Sequence, residues 1–154
     1  MANDNLYNAS LNKAMAICAA RENCQSDIRQ KLGNWGLSEK DTERIINHLI
    51  SEKFIDEERY ALAFVKDKFR HNRWGRIKIS SALRLKKIPE GIINSALKSI
   101  DNETYLDVIK TLINAHRKSV RAKNQYDLKG KLLRYGLSKG FESNILYDLL
   151  NDLE

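Results

Sequence analysis

The chain repeats itself. Asp27-Ile28-Arg29-Gln30-Lys31-Leu32, then Trp35-Gly36-Leu37-Ser38, recurs as Asp127-Leu128-Lys129-Gly130-Lys131-Leu132 and Tyr135-Gly136-Leu137-Ser138. Ile45 and Leu49 find counterparts at Ile145 and Leu149. A weaker copy lies midway, in Lys78-Ile79, Leu83, Ile88-Pro89 and Ile92-Ile93. A period of about fifty residues marks a tandem array, each copy a unit too small to close a core alone.

Within each copy the apolar spacing is helical. Leu11, Ala14, Met15, Cys18 and Ala19 recur at three- and four-residue steps, predicting an amphipathic helix that ends near Glu22. Ser26 is the expected cap of a short second helix carrying Ile28 and Leu32 and ending at Gly33 or Gly36. Ser38 is placed to cap a third through Ile45, Ile46, Leu49 and Ile50, with Glu39, Asp41 and Glu43 near its positive end. In the second copy Asp56 caps a helix that Gly75 breaks. A helix over about 77–86 follows, and Pro89 suits the first turn of the next. In the last copy Asp101 or Asn102 caps a helix over Tyr105 to Arg117. Residues 119–124 read as a basic loop, and Ser138 opens a final helix to about Asn151.

The expected fold is therefore all-α: an elongated array of three tandem three-helix repeats resembling helix-turn-helix units. A flexible tail covers residues 1–9, and the repeats cover 10–54, 55–100 and 101–154. A compact nine-helix globule fits the same pattern. A chain of 154 residues buries about 70% of its unfolded surface and needs neither disulfide nor metal to fold. Cys18 and Cys24 match no zinc or redox spacing, which points to a reduced, cytoplasmic chain. The first ten residues lack the pattern of a signal peptide, and no apolar run approaches membrane-spanning length.

The net charge of +7 is unevenly placed. Residues 66–87 hold nine Lys and Arg against Asp67, and residues 116–139 hold eight against Asp127. The rest of the chain is mildly acidic. Two such blocks point to a polyanionic partner, although a solvated helical face explains any one of them. Lys66, Arg70 and Arg73 share one face of their helix, and Arg76, Arg84 and Lys87 line a second stripe on the next. Trp74 lies between the stripes, where it either stacks on a base, plugs a protein pocket or pins one helix to another. Trp35 and Tyr135 raise the same question. Phosphate neutralisation gives affinity without sequence specificity, and no base-reading pattern of exposed Asn, Gln and Arg is present.

Catalytic chemistry leaves no trace. His48, His71 and His116 are isolated, and no phosphate-cradling glycine motif occurs. Asp56-Glu57-Glu58 could hold magnesium, but at a helix start it more plainly complements the dipole. No enzyme activity, cofactor or metal is expected.

The segments that organise the repeats also resemble the RecX family. Arg21-Glu22-Asn23-Cys24-Gln25-Ser26-Asp27-Ile28-Arg29-Gln30-Lys31-Leu32 is similar to its Arg-x-x-x-Ser-x-x-Glu-Leu-x-x-Lys-Leu signature, with one extra residue after Arg21, or Glu22 read in its place. Ile55-Asp56-Glu57-Glu58-Arg59-Tyr60-Ala61 resembles Leu-Asp-Asp-x-Arg-Phe-Ala. Gly75-Arg76-Ile77-Lys78-Ile79, running on to Leu83-Arg84-Leu85-Lys86-Lys87-Ile88, and Leu132-Leu133-Arg134-Tyr135-Gly136-Leu137 resemble the later motifs. The match runs in order from Leu11 onward. It departs at Asp27 (usually Glu), Arg76 (often Pro) and Lys87 (usually Gly), which bears on local turn geometry.

The resemblance implies a partner, the RecA filament on DNA, and inhibition of recombinase, ATPase and coprotease activity, by groove occupancy or by blocking filament growth. It implies weak binding to single- and double-stranded DNA, not sequence-specific, by a monomer with no membrane attachment. The candidate RecA- and DNA-contacting residues are Lys66, Arg70, Arg73, Trp74, Arg76, Arg84 and Lys87, joined by Lys129, Lys131 and Arg134. The rival readings are a stand-alone DNA-binding protein of helix-turn-helix type and a protein-only adaptor with an acidic partner.

Overall fold

The structure, a computed structural model, describes residues 2–152. Among them are nine α-helices and no strand: α1 (Ala2–Ala20), α2 (Gln25–Asn34), α3 (Glu39–Ser51), α4 (Glu57–Asn72), α5 (Arg76–Leu85), α6 (Glu90–Leu97), α7 (Asn102–Ser119), α8 (Gln125–Ser138) and α9 (Ser143–Asn151). No helix of the described residues is long and apolar enough to cross a membrane. The chain divides into two compact units, Met1–Ala63 with Leu83–Ile93, and Phe64–Ala82 with Asn94–Glu154.

The first unit is built on α1, α2 and α3. Ala14 and Cys18 of α1, Ile28 and Leu32 of α2, and Ile45, Ile46 and Leu49 of α3 form one buried cluster closed by Leu37 and Ile55. Each large side chain buried in this way contributes about 1.5–3 kcal/mol. Ser38 caps α3, its hydroxyl accepting from the Asp41 N–H at 3.2 Å, and Asp56 caps α4 through the Arg59 N–H at 3.0 Å. The Asp56-Glu57-Glu58 run thus opens a helix. Arg59 donates to Glu22 at 2.5 Å and to the Lys53 carbonyl at 3.0 Å.

The second unit packs Val65, Ile79, Tyr105, Ile109, Ile113, Leu132, Phe141, Leu146 and Leu150, all buried. Tyr105 sits among aromatic rings, 5.8 Å from Phe69 and 5.9 Å edge-on to Phe141. Asp101 caps α7, and the Thr104 N–H and hydroxyl on its carboxylate hold that carboxyl below its ordinary range. Asn124 caps α8 through the Asp127 N–H at 2.8 Å. His116 stacks on Tyr135 at 3.9 Å, so Tyr135 pins α7 to α8. Trp35 packs against the first unit's cluster beneath Lys13.

Three expectations need correction. Residues 2–9, expected as a loose tail, belong to α1; Met1 lies outside the described residues. Leu6 and Tyr7 explain the difference, because they pack on the first unit's cluster and Arg44 lies 4.6 Å over the Tyr7 ring. Ser26 does not cap α2. The cap position is Cys24, which offers no side-chain hydrogen bond there. Ser138 does not open the last helix. It ends α8 with its hydroxyl on the Tyr135 carbonyl, and α9 begins after Glu142. Pro89 stands just before α6, its carbonyl accepting from the Ile92 and Ile93 N–H groups.

The physical register of the repeat explains the last correction. At the end of α2 the Leu37 N–H reaches the Leu32 carbonyl and the Gly36 N–H the Gly33 carbonyl, a left-handed Schellman stop at Gly36. The same bonds recur from Ile88 to Leu83 and Lys87 to Arg84 after α5, and from Phe141 to Gly136 and Gly140 to Leu137 after α8. At these three stops the positive-φ residue is Gly36 (94°), Lys87 (61°) or Gly140 (91°). Gly36 therefore answers to Gly140 and not to Gly136. In α9 the buried positions are accordingly Leu146 and Leu150, while Ile145 and Leu149 are half-buried.

Candidate polyanion-binding site

Two glycines assemble the site in the second unit. The α4–α5 turn carries Arg73 at φ 55°, then Trp74 and Gly75. The Gly75 N–H donates to the Lys139 carbonyl at 2.7 Å, and the Ile77 N–H to the Gly140 carbonyl at 3.0 Å. A Cβ on Gly75 would stand 2.2 Å from the Gly140 oxygen, and one on Gly140 would stand 2.3 Å from the Lys78 Cβ. Only hydrogen at both positions lets the turn before α5 and the turn after α8 share hydrogen bonds.

This pinch gathers cations distant in sequence. The Lys78 Nζ lies 4.7 Å and the Lys68 Nζ 5.0 Å from the Trp74 ring centroid. Lys139 donates to the Asn72 carbonyl at 2.9 Å, and Lys78 reaches the Ser138 carbonyl at 3.5 Å. Burial, and then the charges of Lys78 and Arg73, hold the Lys139 ammonium below the ordinary lysine range. Depression by like charge means that an arriving anion relieves repulsion already present. Asp67, 4.0 Å from Lys68 and 3.9 Å from His71, is an acid at this edge. Among the described residues no group of three His, Cys, Asp or Glu could hold a metal ion.

The residues expected to bind fall into distinct settings. Lys66, Arg70 and Arg73 are exposed on α4 and just beyond it, beside half-buried Trp74. Arg76 is engaged in the fold. Its N–H donates to the Tyr105 hydroxyl at 3.0 Å, and its guanidinium to Glu142 at 3.0 Å and Asn102 at 3.2 Å. Lys131 is tied to the Arg121 carbonyl and lies 3.3 Å from Asp127, while Arg134 is exposed and Lys129 half-buried on α8. Arg84 and Lys87 belong to the first unit, where Arg84 pairs with Glu90 and Lys87 is exposed. Lys68, Lys78 and Lys139 were not among the candidates. Lys78 and Lys139 meet only through Gly75 and Gly140, and the sequence signal for that was the pair of glycines.

Fold and site together define an all-α protein of three-helix units with a crowded cationic surface. Residues 56–97 match the family model described as RecX, second three-helix domain. The chain is 31% identical over 144 residues to Regulatory protein RecX of Clostridium perfringens strain 13, covering 92% of this chain and 65% of that protein. It is 27% identical over 145 residues to Regulatory protein RecX of Prosthecochloris aestuarii, covering 94% and 93%. The chain thus spans just under two thirds of the C. perfringens relative. A crystal structure of regulatory protein RecX superposes with a TM-score of 0.87 at 24% identity, covering 98% of this chain and 74% of that one. RecX from Lactobacillus salivarius gives 0.82 at 22%, covering 97% of each. The structural likenesses show the fold. The chain belongs to the RecX family.

Proposed function

We propose that this protein is a non-catalytic, cytoplasmic regulator that binds RecA–DNA filaments as a monomer and restrains the recombinase, its ATPase and its coprotease activity. The reading starts from the resemblance to RecX-type regulators and from relatives that carry the name regulatory protein. The observation that carries it is the gathering of Lys68, Lys78, Lys139 and Arg73 around Trp74. Crowded cations beside a half-buried indole suit a phosphate-rich partner and give affinity with steep salt dependence. Lys66, Arg70, Lys129 and Arg134 extend the contact within the second unit, and Lys87 is a separate candidate in the first. Arg76 and Lys131 are left to the fold, because each has a carboxylate close at hand, Glu142 at 3.0 Å and Asp127 at 3.3 Å.

Co-sedimentation tests this reading. RecA filaments on single-stranded DNA should carry the protein into the pellet, more than bare DNA does, and added salt should release it. Tight, sequence-selective binding to duplex alone would replace this reading with the helix-turn-helix one. Absence from the pellet at low salt would end it.

A further inference from the structure

The outer side of α8 and α9 carries apolar surface that the fold does not use. Tyr126 is 89% exposed, Tyr147 54% and Leu137 45%. Tyr126, Gly130, Leu133 and Leu137 follow one another at four- and three-residue steps, so they form a single stripe along α8. Tyr126, Gly130 and Leu133 of this stripe, with Tyr147, Leu150 and Asn151 of α9, border a groove of about 400 Å³, flanked by Asp127, Lys129 and Arg134.

Gly130 makes this groove informative. It lies inside a helix, where glycine is less stable than alanine. A Cβ there would meet nothing closer than the tip of Arg134, at 3.9 Å. Gly75, Gly136 and Gly140 are each demanded by a close neighbour; Gly130, like Gly33 and Gly91, is not, but of these three it alone lines this groove. The missing side chain leaves a notch in the wall of the groove.

The lining selects the occupant. Gly130, Leu133, Leu150 and two tyrosine rings offer sockets for apolar side chains more than a track for phosphates. Asp127 is engaged by Lys131 and by the Lys123 N–H, and exposed Arg134 gives the rim its positive character. We propose that the α8–α9 groove docks an amphipathic helix of a partner protein, its apolar anchors seated over Gly130 and its acidic flank facing Arg134. This is a protein-binding surface, separate in chemistry from the cation cluster around Trp74, and it does not depend on the RecA reading.

The test needs no recombinase. A display library of helical peptides of about sixteen residues, apolar along one face and with acidic or basic residues elsewhere, is panned against the full chain. Acidic amphipathic sequences should be enriched. Gly130→Leu, which fills the notch, should weaken the selected peptides about tenfold or more without lowering the melting temperature. Arg134→Glu should weaken the acidic peptides and favour basic ones. The proposal is overturned if nothing is enriched, if the winners are basic, or if they bind Gly130→Leu as well as the parent. It also falls if a labelled oligothymidine, and not a peptide, loses binding in Gly130→Leu. Peptide selection and Gly130→Leu are read without RecA or DNA filaments, so filament binding is scored separately by the co-sedimentation assay.

Discussion

Arg76 holds its guanidinium 3.9 Å from the Tyr105 ring centroid, and both residues bond the same carboxylate, that of Glu142. Tyr105 is fully buried on α7, Arg76 opens α5, and Glu142 precedes α9, so one polar knot fastens three elements of the second unit. The Tyr105 hydroxyl also accepts from the Arg76 N–H, a bond that the proline often found here in the family could not make.

The knot predicts asymmetric costs. Arg76→Ala strands Glu142 beside the Tyr105 hydroxyl and should lower stability by about 2–3 kcal/mol, a buried-pair value reduced for partial exposure. Tyr105→Phe leaves the Arg76 N–H and one Glu142 oxygen without that partner, and should cost about 1–3 kcal/mol. Urea denaturation of each variant checks both. Equal stability of parent and Arg76→Ala would show that the guanidinium is not needed by the fold.

The glycine pinch makes a prediction of opposite signs. Gly75→Ala and Gly140→Ala each push a carbon into backbone atoms, and each should cost about 3 kcal/mol. Gly140→Ala carries in addition the strain of a left-handed conformation. Gly33→Ala meets nothing within 4 Å on α2 and should stabilise by up to about 1 kcal/mol. Thermal unfolding of the three variants separates a demanded glycine from an incidental one.

Lys87 occupies the left-handed position that Gly36 and Gly140 fill elsewhere, and at which the family usually has glycine. Lys87→Gly should therefore stabilise the chain by about 1 kcal/mol. The gain should appear in the denaturation midpoint with an unchanged denaturant slope. A loss would mean that the lysine side chain makes a compensating contribution.

Much of this architecture was legible in the sequence, and the misreadings share a cause. The apolar steps of Ile28, Leu32, Ile45 and Leu49 and the caps at Ser38, Asp56 and Asp101 are local signals, and local signals set the helices. The match of Gly36 with Gly136 was a likeness of letters. Gly136 lies within α8, where Leu146 leaves no room for a side chain, and the left-handed stop falls at Gly140. The cation cluster was harder to see, since Lys68, Lys78 and Lys139 share no helix face. They converge only once Gly75 and Gly140 touch, and no periodicity records that meeting. Charge density located the blocks, but it could not tell Arg76, which the fold uses, from exposed Arg73.

Salt dependence offers a quantitative check on the cluster. If Arg70, Arg73 and Lys78 each neutralise one phosphate, substituting all three with glutamine should flatten the log–log salt dependence of oligonucleotide binding. The slope should fall by about 0.7 per cation removed on single-stranded DNA. Fluorescence anisotropy at a series of chloride concentrations measures it, with circular dichroism confirming unchanged helicity. A parallel curve displaced only in affinity would place the phosphate contacts elsewhere.

The most direct test of filament restraint is RecA's DNA-dependent ATP hydrolysis, followed as this protein is added. The parent chain should suppress turnover progressively, and the folded Arg70→Glu, Arg73→Glu, Lys78→Gln triple variant should leave turnover close to that of RecA alone. If the triple variant inhibited as strongly as the parent, the surface around Trp74 would not be the contact. If the parent itself left hydrolysis untouched, regulation of the recombinase by this chain would be refuted.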